Sequence, residues 1–433
     1  MMSNITYALG GTISMKLSSN EKIIDIMERT LNYVDPRLIG HGKRLAYLVY
    51  RMLKNHPAFD KKALRDISML AMLHDIGAYE TEEIDNMHQF EADNIWPHSI
   101  YGYLFIKYFS PLKAYAPAIL YHHARFDTVY DIDPQNAFLA QVISIANTAD
   151  MYYTLNRDTG AFHRLLERRR DSQFQSEAID LFYKSGIVIE TFVKEIETDT
   201  AYNQILRGIP FTKEEVEDYI RMIIYTIDFR SSQTVVHTIS VACIAEQLAK
   251  LAGASDVEIE KIRTGALLHD IGKISTPIHI LEGTSSKLSD EDMKIMRNHI
   301  VVSAEILDGN VDEEVKFIAI NHHETLDGKG YPRGISGENI KPLDRIMCVA
   351  DILSALTATR SYQSAFPKEK TISILEGMAN RGKIDTEIVA LTIKHYDEIV
   401  DIGNREANRV IEDYHRIKKE YDKILEHLQS YAK

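Results

Sequence analysis

Histidine and aspartate residues recur along this chain at matched spacings, and they are its residues most suited to chemistry. Of the 17 histidines, ten fall on five positions that occur twice, and two aspartates accompany each set. The first copy comprises His41, His74, Asp75, His98, His122, His123 and Asp150, and the second comprises His237, His269, Asp270, His299, His322, His323 and Asp351. His41 precedes His74 by 33 residues and His237 precedes His269 by 32, which indicates two copies of one domain.

Each copy has the composition of a metal site. Imidazole and carboxylate groups together suit iron, manganese, zinc or nickel, whereas histidine is not a favoured core residue. Adjacent pairs such as His269-Asp270 can reach two sides of a metal cluster, since neighbours on a helix point about 100° apart. Seven ligands exceed the need of one ion with open positions. Two ions roughly 3.5–4 Å apart would activate water and stabilise an in-line phosphoryl displacement.

Three strings in the second copy resemble a known family. HDIGK at 269–273 resembles the doublet motif of the HD superfamily of phosphohydrolases. HHETLDGKGYP at 322–332 resembles the complete signature of HD-GYP domains, and Ala350-Asp351 resembles their last motif. The resemblance spans about residues 213 to 380. It implies an all-α domain that hydrolyses a bacterial cyclic dinucleotide, cyclic di-GMP or 3′,3′-cyclic GMP-AMP, to the linear dinucleotide or to mononucleotides.

The resemblance also implies a role for individual residues. The seven positions of the second copy would hold two divalent metal ions, with iron or manganese favoured over zinc, and Asp270 would bridge them. Lys273 would be catalytic, because it would contact the phosphate and assist the leaving group. Lys273 follows His269 by four residues, which predicts one shared helical face. Arg360 would hold the second phosphate or a base, and Tyr331 would contact the substrate.

Two positions of the second copy depart from the family pattern. Gln233 stands where many members carry a glutamate that can recruit a third ion, so two ions are expected. Gln363 stands where a basic residue is common, and the substrate contacts are therefore expected to differ there.

The first copy keeps its ligands but loses the family's other features. Ala78 replaces the lysine, and the sequence from Ala124 to Tyr130 lacks the GYP string. Three hypotheses compete: a regulatory module that binds metal or senses substrate, an active phosphohydrolase on another substrate, and a scaffold without function. We favour regulation, because seven retained polar positions are hard to explain in a scaffold.

The remaining pattern is helical, with apolar residues at three- and four-residue steps over 43–54, 238–251 and 290–307. The first twenty residues could form a hairpin, and 328–342 is predicted to be a loop. We therefore expect an all-α fold of two tandem HD-type helical domains and a C-terminal helix. The limits are 1–208 for a degenerate, regulatory HD domain, 209–400 for the HD-GYP catalytic domain, and 401–433 for an amphipathic helix. Thr212 is predicted to cap a helix near the boundary.

The C-terminal helix has an apolar seam with two interpretations. Its residues step by three and four along Ala407, Val410, Tyr414, Ile417, Tyr421, Ile424, Leu428 and Tyr431. This a/d spacing suits a coiled coil, and hence a homodimer through the helix. It equally suits a long helix packed on its own domain.

The composition of the 433-residue chain limits which kinds of partner it can bind. A net charge of −13 argues against DNA or an anionic membrane, but not against a nucleotide held through metal ions. Two cysteines, and no recognisable signal peptide or membrane segment, predict a cytoplasmic protein. Two other functions stay open: an HD phosphohydrolase acting on another nucleotide, and a non-catalytic signalling module whose GYP loop docks a diguanylate cyclase-type protein.

Overall fold

The computed structural model describes residues 20–33, 39–80, 96–128, 132–230, 234, 236–283, 288–357 and 365–431. Over these ranges the regular elements are α-helices and short 3-10 turns, with one isolated backbone bridge between Arg170 and Phe174. The predicted all-α class is therefore confirmed. The hairpin predicted for the first twenty residues falls on 1–19, outside the described residues, and Asn20 begins a helix.

The chain divides into two compact units. The N-terminal unit contains residues 20–222 and 417–431, and the C-terminal unit contains 223–416. The domain limits at 208 and 400 stay a sequence prediction. The boundaries between the compact units differ from these limits. They fall inside two helices, Lys213–Asp228 and Tyr396–Tyr431.

The N-terminal unit is built from nine helices that lie wholly among its described residues. They are α1 Asn20–Asn32, α2 His41–Leu53, α3 Lys61–Met72, α4 Trp96–Phe109, α5 Ala116–Leu120, α6 Pro134–Thr154, α7 Thr159–Arg168, α8 Ser176–Lys184 and α9 Thr200–Leu206. The first half of α10 Lys213–Asp228 and the end of the last helix complete it.

The C-terminal unit follows with a second set of helices. They are α11 His237–Leu251, α12 Asp256–Leu268, α13 Ile278–Leu281, α14 Asp290–Arg297, α15 His299–Leu307, α16 Glu313–Ile320, α17 Pro342–Thr357, α18 Lys368–Asn380, α19 Thr386–Lys394 and α20 Tyr396–Tyr431. A 3-10 turn at Ile271–Ser275 follows α12, as a turn at Ile76–Glu80 follows α3.

Both units use the same central packing. In the N-terminal unit α2 packs against α3 and α6, and in the C-terminal unit α11 packs against α12 and α17. Leu45, Leu48 and Val49 of α2 are fully buried, and full burial of one such side chain stabilises the fold by about 1.5–3 kcal/mol. In both units this core brings helix ends together around the repeated histidines.

The segments with helical periodicity are helical in the structure. Helices α2 and α11 match the expected segments 43–54 and 238–251. The loop expected over 328–342 spans 328–341, contains one 3-10 turn, and ends where α17 begins at Pro342. Thr212 caps α10, with its hydroxyl accepting from the N–H of Glu215 and the Glu215 carboxylate accepting from the N–H of Thr212. The helical pattern over 290–307 corresponds to two helices, α14 and α15, which are separated at Asn298. The apolar steps continue across this break, so periodicity cannot mark it.

The C-terminal helix is covered by its own chain. The seam residues Ala407, Val410, Ile417 and Leu428 are buried. Within the N-terminal unit, the ring of Tyr421 stacks on Tyr101 at a centroid distance of 4.4 Å. This burial favours the interpretation in which the helix packs on its own chain. None of the described helices combines the length and the apolar character that crossing a bilayer requires.

A glycine sets the closest backbone approach in the C-terminal unit. A Cβ atom at Gly272 would lie 1.9 Å from the carbonyl oxygen of His299 and 2.6 Å from the nitrogen of Ser303. The Gly272→Ala variant is expected to lose about 1–3 kcal/mol of unfolding free energy, measured by denaturant titration. Gly377→Ala is the matched control, since the nearest atom is an Arg381 guanidinium nitrogen at 3.4 Å and alanine favours a helix. Equal loss in both variants would contradict the packing argument.

Candidate metal centre

The repeated residues of the C-terminal unit converge at helix ends. The set occupies the first residue of α11, the two residues after α12, the first residue of α15, the second and third residues after α16, and one position inside α17. Six of the seven are buried, and His323 is partly exposed. The structure therefore brings together His237, His269, Asp270, His299, His322, His323 and Asp351.

Their ligand atoms form two groups with one carboxylate between them. The groups are His237, His269 and Asp351, and His299, His322 and His323, with the atoms of each within 4.8 Å of one another. Asp270 Oδ2 lies 3.0 Å from His269 Nε2, and Asp270 Oδ1 lies 3.4 Å from His299 Nε2. One carboxylate thus faces both groups, which is the arrangement expected of a bridging ligand.

Backbone carbonyls orient three of these imidazoles. His269, His299 and His322 each donate Nδ1–H to the carbonyl three residues earlier, at 2.7, 2.5 and 2.7 Å respectively. A carbonyl only accepts, so the proton sits on Nδ1 and the Nε2 lone pair faces the cavity. Such partners fix the tautomer of a metal-ligating histidine.

Several cavity-facing atoms have no hydrogen-bond partner. They are His269 Nε2, Asp270 Oδ1, His299 Nε2 and His322 Nε2, all buried. An unsatisfied buried polar group costs about 1–3 kcal/mol, and lone pairs that converge in this way fit divalent ions. Burial lowers the pKa of His299 to about 3, which keeps the imidazole neutral, as metal binding requires.

The charges around Asp270 favour its ionised form. Burial alone would raise its pKa, but His269 and Lys273 outweigh burial and hold the pKa well below the usual range. The Lys273 ammonium donates to Asp270 Oδ2. The expected helical face shared by Lys273 and His269 is wrong, because α12 ends at Leu268 and the 3-10 turn begins where Gly272 packs against α15.

The GYP loop approaches the same cavity. The ring of Tyr331 lies 4.7 Å from the ring of His323, and the Arg297 guanidinium lies 5.1 Å from the Tyr331 ring centre. Tyr331 therefore borders the second histidine group. Arg360, the predicted contact to phosphate or base, lies outside the described residues, as do Gln233 and Gln363.

Sequence reasoning missed residues that support the site. The Glu324 carboxylate, 1% exposed, accepts from the backbone N–H groups of Arg333 and Ile335 at 2.8 and 3.1 Å and so holds the loop. Ser303 accepts from the N–H of Gly272 at 2.9 Å and donates to the carbonyl of His269 at 3.2 Å. The position of Glu324 directly after the histidine pair could have identified it from the sequence.

In the N-terminal unit six of the seven predicted residues share a cavity. They form one group of His41, His74 and Asp75 and another of Asp75, His98, His122 and His123. His74 and His122 donate Nδ1–H to the carbonyls of Ala71 and Ile119. Asp150 instead lies 2.7 Å from His41 Nδ1 and pairs with Arg44. The described residues of this unit thus offer His/Asp clusters able to hold metal, with Ala78 at the position of Lys273.

Asp270 is expected to decide whether the C-terminal unit retains metal. In Asp270→Asn an amide replaces the carboxylate that faces both groups, so both ions should be lost from that unit. The measurement is metal content per chain by mass spectrometry after gel filtration. Asp385→Asn is the control, since this carboxylate caps α19. Full metal content in Asp270→Asn would contradict the bridging geometry.

Comparison with known proteins agrees with this geometry. The HD domain family matches residues 221–388. The chain is 27% identical to "3'3'-cGAMP-specific phosphodiesterase 1" of Vibrio cholerae, over 88% of this chain and 92% of that protein. It is 32% identical to a "Cyclic di-GMP phosphodiesterase" of Thermotoga maritima, over 45% of this chain and 54% of that protein. The chain thus spans nearly all of the first relative and about half of the second.

One solved structure shows the same fold. The crystal structure of a cyclic GMP-AMP specific phosphodiesterase of V. cholerae, V-cGAP3, superposes with a TM-score of 0.55 at 16% identity. The match covers 88% of this chain and 98% of that one. The family match, the relatives and the motif strings at 269–273 and 322–332 therefore agree that residues 221–388 match an HD domain and resemble the HD-GYP type.

Proposed function

We propose that the chain is a metal-dependent phosphodiesterase that hydrolyses a bacterial cyclic dinucleotide. The observation that most strongly supports this proposal is the position of the Asp270 carboxylate, which faces two histidine groups and contacts Lys273. The similarity to cyclic dinucleotide phosphodiesterases, over 88% of the chain for one relative and 45% for another, supports this reaction. The complete GYP loop distinguishes the C-terminal unit from an HD phosphohydrolase acting on a different nucleotide.

The proposed cofactor is a pair of divalent ions, with iron or manganese favoured. Five histidines and two aspartates supply a mixed nitrogen and oxygen ligand set, which suits both metals. When bound, such a pair lowers the pKa of water and offsets negative charge on a phosphodiester. His237, His269 and Asp351 would hold one ion, and His299, His322 and His323 the other, with Asp270 shared.

The protein's own groups then act on the phosphodiester. The Lys273 side chain is 16% exposed and lies against Asp270, so its ammonium can turn toward a bound phosphate. There it would offset charge developing in the transition state and donate a proton to the leaving oxygen. Tyr331 borders His323 and would pack against the sugar or base. Arg360 would contact the second phosphate or a base, as the family resemblance implies.

The relatives support a proposal for the preferred substrate. The V. cholerae protein that aligns along 88% of this chain is cGAMP-specific, which favours 3′,3′-cyclic GMP-AMP. Cyclic di-GMP is the alternative, since the T. maritima relative is named a cyclic di-GMP phosphodiesterase. The N-terminal unit, which has Ala78 in place of the lysine, is proposed to regulate. A diguanylate cyclase-type partner and a homodimer through α20 stay predictions.

Product analysis tests the function directly. Purified protein loaded with manganese or ferrous iron should convert 3′,3′-cyclic GMP-AMP or cyclic di-GMP to a linear product, resolved by chromatography. Asp270→Ala should lose at least about 1,000-fold of the rate, because it loses the bridging carboxylate. Asp75→Ala, the same change in the N-terminal copy, should retain most of the intrinsic rate.

Two outcomes would count against this proposal. No product from either substrate with metal confirmed would move the assignment to another phosphate ester or to a binding role. Equal loss of rate in folded Asp270→Ala and Asp75→Ala proteins would contradict the division of labour between the units.

Glu324 is expected to act on the substrate through the GYP loop. Glu324→Gln puts an amide where the carboxylate accepts two backbone N–H groups, so one bond should be lost and the loop should loosen. We expect KM to rise about 10-fold, equivalent to about 1.4 kcal/mol, with metal content unchanged. Steady-state kinetics and metal analysis of the same preparation test this.

A matched control exists on the same loop. Glu338 is fully exposed, and its carboxylate lies 3.9 Å from the Arg345 guanidinium, so Glu338→Gln should leave KM unchanged. If Glu324→Gln lost metal together with activity, its role would lie in the metal centre rather than in the loop.

A further inference from the structure

The two copies of the ligand set differ in which atoms lack partners. In the C-terminal unit, the unpartnered buried atoms belong to both histidine groups. In the described part of the N-terminal unit, the unpartnered ligand atoms are Asp75 Oδ1, His122 Nε2 and His123 Nε2. Both unpartnered imidazole nitrogens belong to the group of Asp75, His98, His122 and His123, and Asp75 is shared with the group of His41 and His74. This asymmetry indicates that the two halves of the N-terminal cavity do different things.

The other half of that cavity is already paired internally. His41 Nε2 lies 3.3 Å from His74 Nε2, and His41 Nδ1 lies 2.7 Å from Asp150 Oδ2. His74 Nδ1 is bonded to the carbonyl of Ala71 at 2.9 Å. Each ring nitrogen of these two histidines therefore has a partner within hydrogen-bond distance, whereas His122 Nε2 and His123 Nε2 have none.

Arg44 removes the seventh ligand from the cavity. Its Nε donates to Asp150 Oδ1 at 2.5 Å and its Nη2 to Asp150 Oδ2 at 3.0 Å, so the guanidinium grips both carboxylate oxygens. Asp150 lies at the Nδ1 edge of His41, whereas Asp351 lies 3.0 Å from Nε2 of His237. The residue three positions after His237 is Ser240, which carries no charge.

The remaining group has the composition of a complete site for one ion. Asp75, His98, His122 and His123 bring their ligand atoms within 4.8 Å of one another, with three of the residues buried. His122 Nδ1 is fixed on the carbonyl of Ile119 at 2.6 Å, and His98 Nε2 lies 3.4 Å from Ser99 Oγ. Three imidazoles and one carboxylate form a four-ligand set that suits a divalent transition metal.

We propose that the N-terminal unit binds a single divalent transition-metal ion through Asp75, His98, His122 and His123, and that Arg44 keeps the site mononuclear by holding Asp150. Charge supports one ion rather than two. Only the Asp75 carboxylate is left to balance the ion, and the Arg44 cation stands where a second ion would need Asp150. The C-terminal unit has two carboxylates, Asp270 and Asp351, in the same space.

Metal content separates the two sites in the full-length protein. Asp270→Asn is used as the background, so that the remaining metal reports the N-terminal unit. After loading with Zn²⁺ and gel filtration, this variant should hold about one ion per chain. Adding His98→Asn should remove that ion, and adding His41→Asn should leave it. Adding Arg44→Ser should free Asp150 and raise the content to about two.

The outcomes that overturn the proposal are specific. No metal in the Asp270→Asn background, or equal losses with His98→Asn and His41→Asn, would overturn the mononuclear site. Unchanged content in Arg44→Ser would overturn the role of Arg44. His123→Asn, at a partly exposed position, repeats the ligand test should His98→Asn misfold. Because the wild type minus the Asp270→Asn background reports the C-terminal ions, failure of the proposed function remains distinguishable.

Discussion

The hydrogen bond between an imidazole Nδ1 and a carbonyl near a helix end is the interaction on which both sites depend. His74, His122, His269, His299 and His322 stand one or two positions beyond a helix end, and each bonds to the carbonyl three residues earlier. The last carbonyls of a helix have no intrahelical partner, so one bond satisfies the carbonyl and aims Nε2 at the cavity. The fold must then bring several helix ends to one point.

That convergence explains why a glycine stands two residues after the aspartate of the His-Asp pair in both units. The turn after α12 passes so close to α15 that Gly272 has no room for a side chain, and Gly77 meets the carbonyl of His98 in the same way. Because the turn is short, the aspartate side chain lies toward the helix that carries His299 in one unit and His98 in the other. Asp270 consequently faces both histidine groups. The packing of the backbone and the chemistry of the site are therefore one constraint.

The sequence predicted the ligand types, the repeat and the all-helical class, because these rest on residue identity and local periodicity. It could not separate Asp150 from Asp351, which occupy matching intervals. Their difference comes from Arg44, whose contact with Asp150 joins α2 to α6 and leaves no trace in spacing. The separation of α14 from α15 at Asn298 and the turn that carries Lys273 could not be predicted from the sequence for a related reason. Each is set by packing against another element, which a local pattern does not contain.

Charge explains how similar cavities can serve different ends in an acidic chain. A net charge of −13 would repel a dinucleotide, so attraction must come from local cations. The C-terminal cavity has Lys273 beside Asp270, and two carboxylates able to balance a pair of ions. In the N-terminal unit Arg44 is paired with Asp150, and Ala78 offers no charge at the position of Lys273. Glu324 anchors a loop over one cavity, whereas Ala124 follows the histidine pair in the other. Substrate binding and turnover are therefore expected in the cavity that has both the GYP loop and a lysine beside the shared carboxylate.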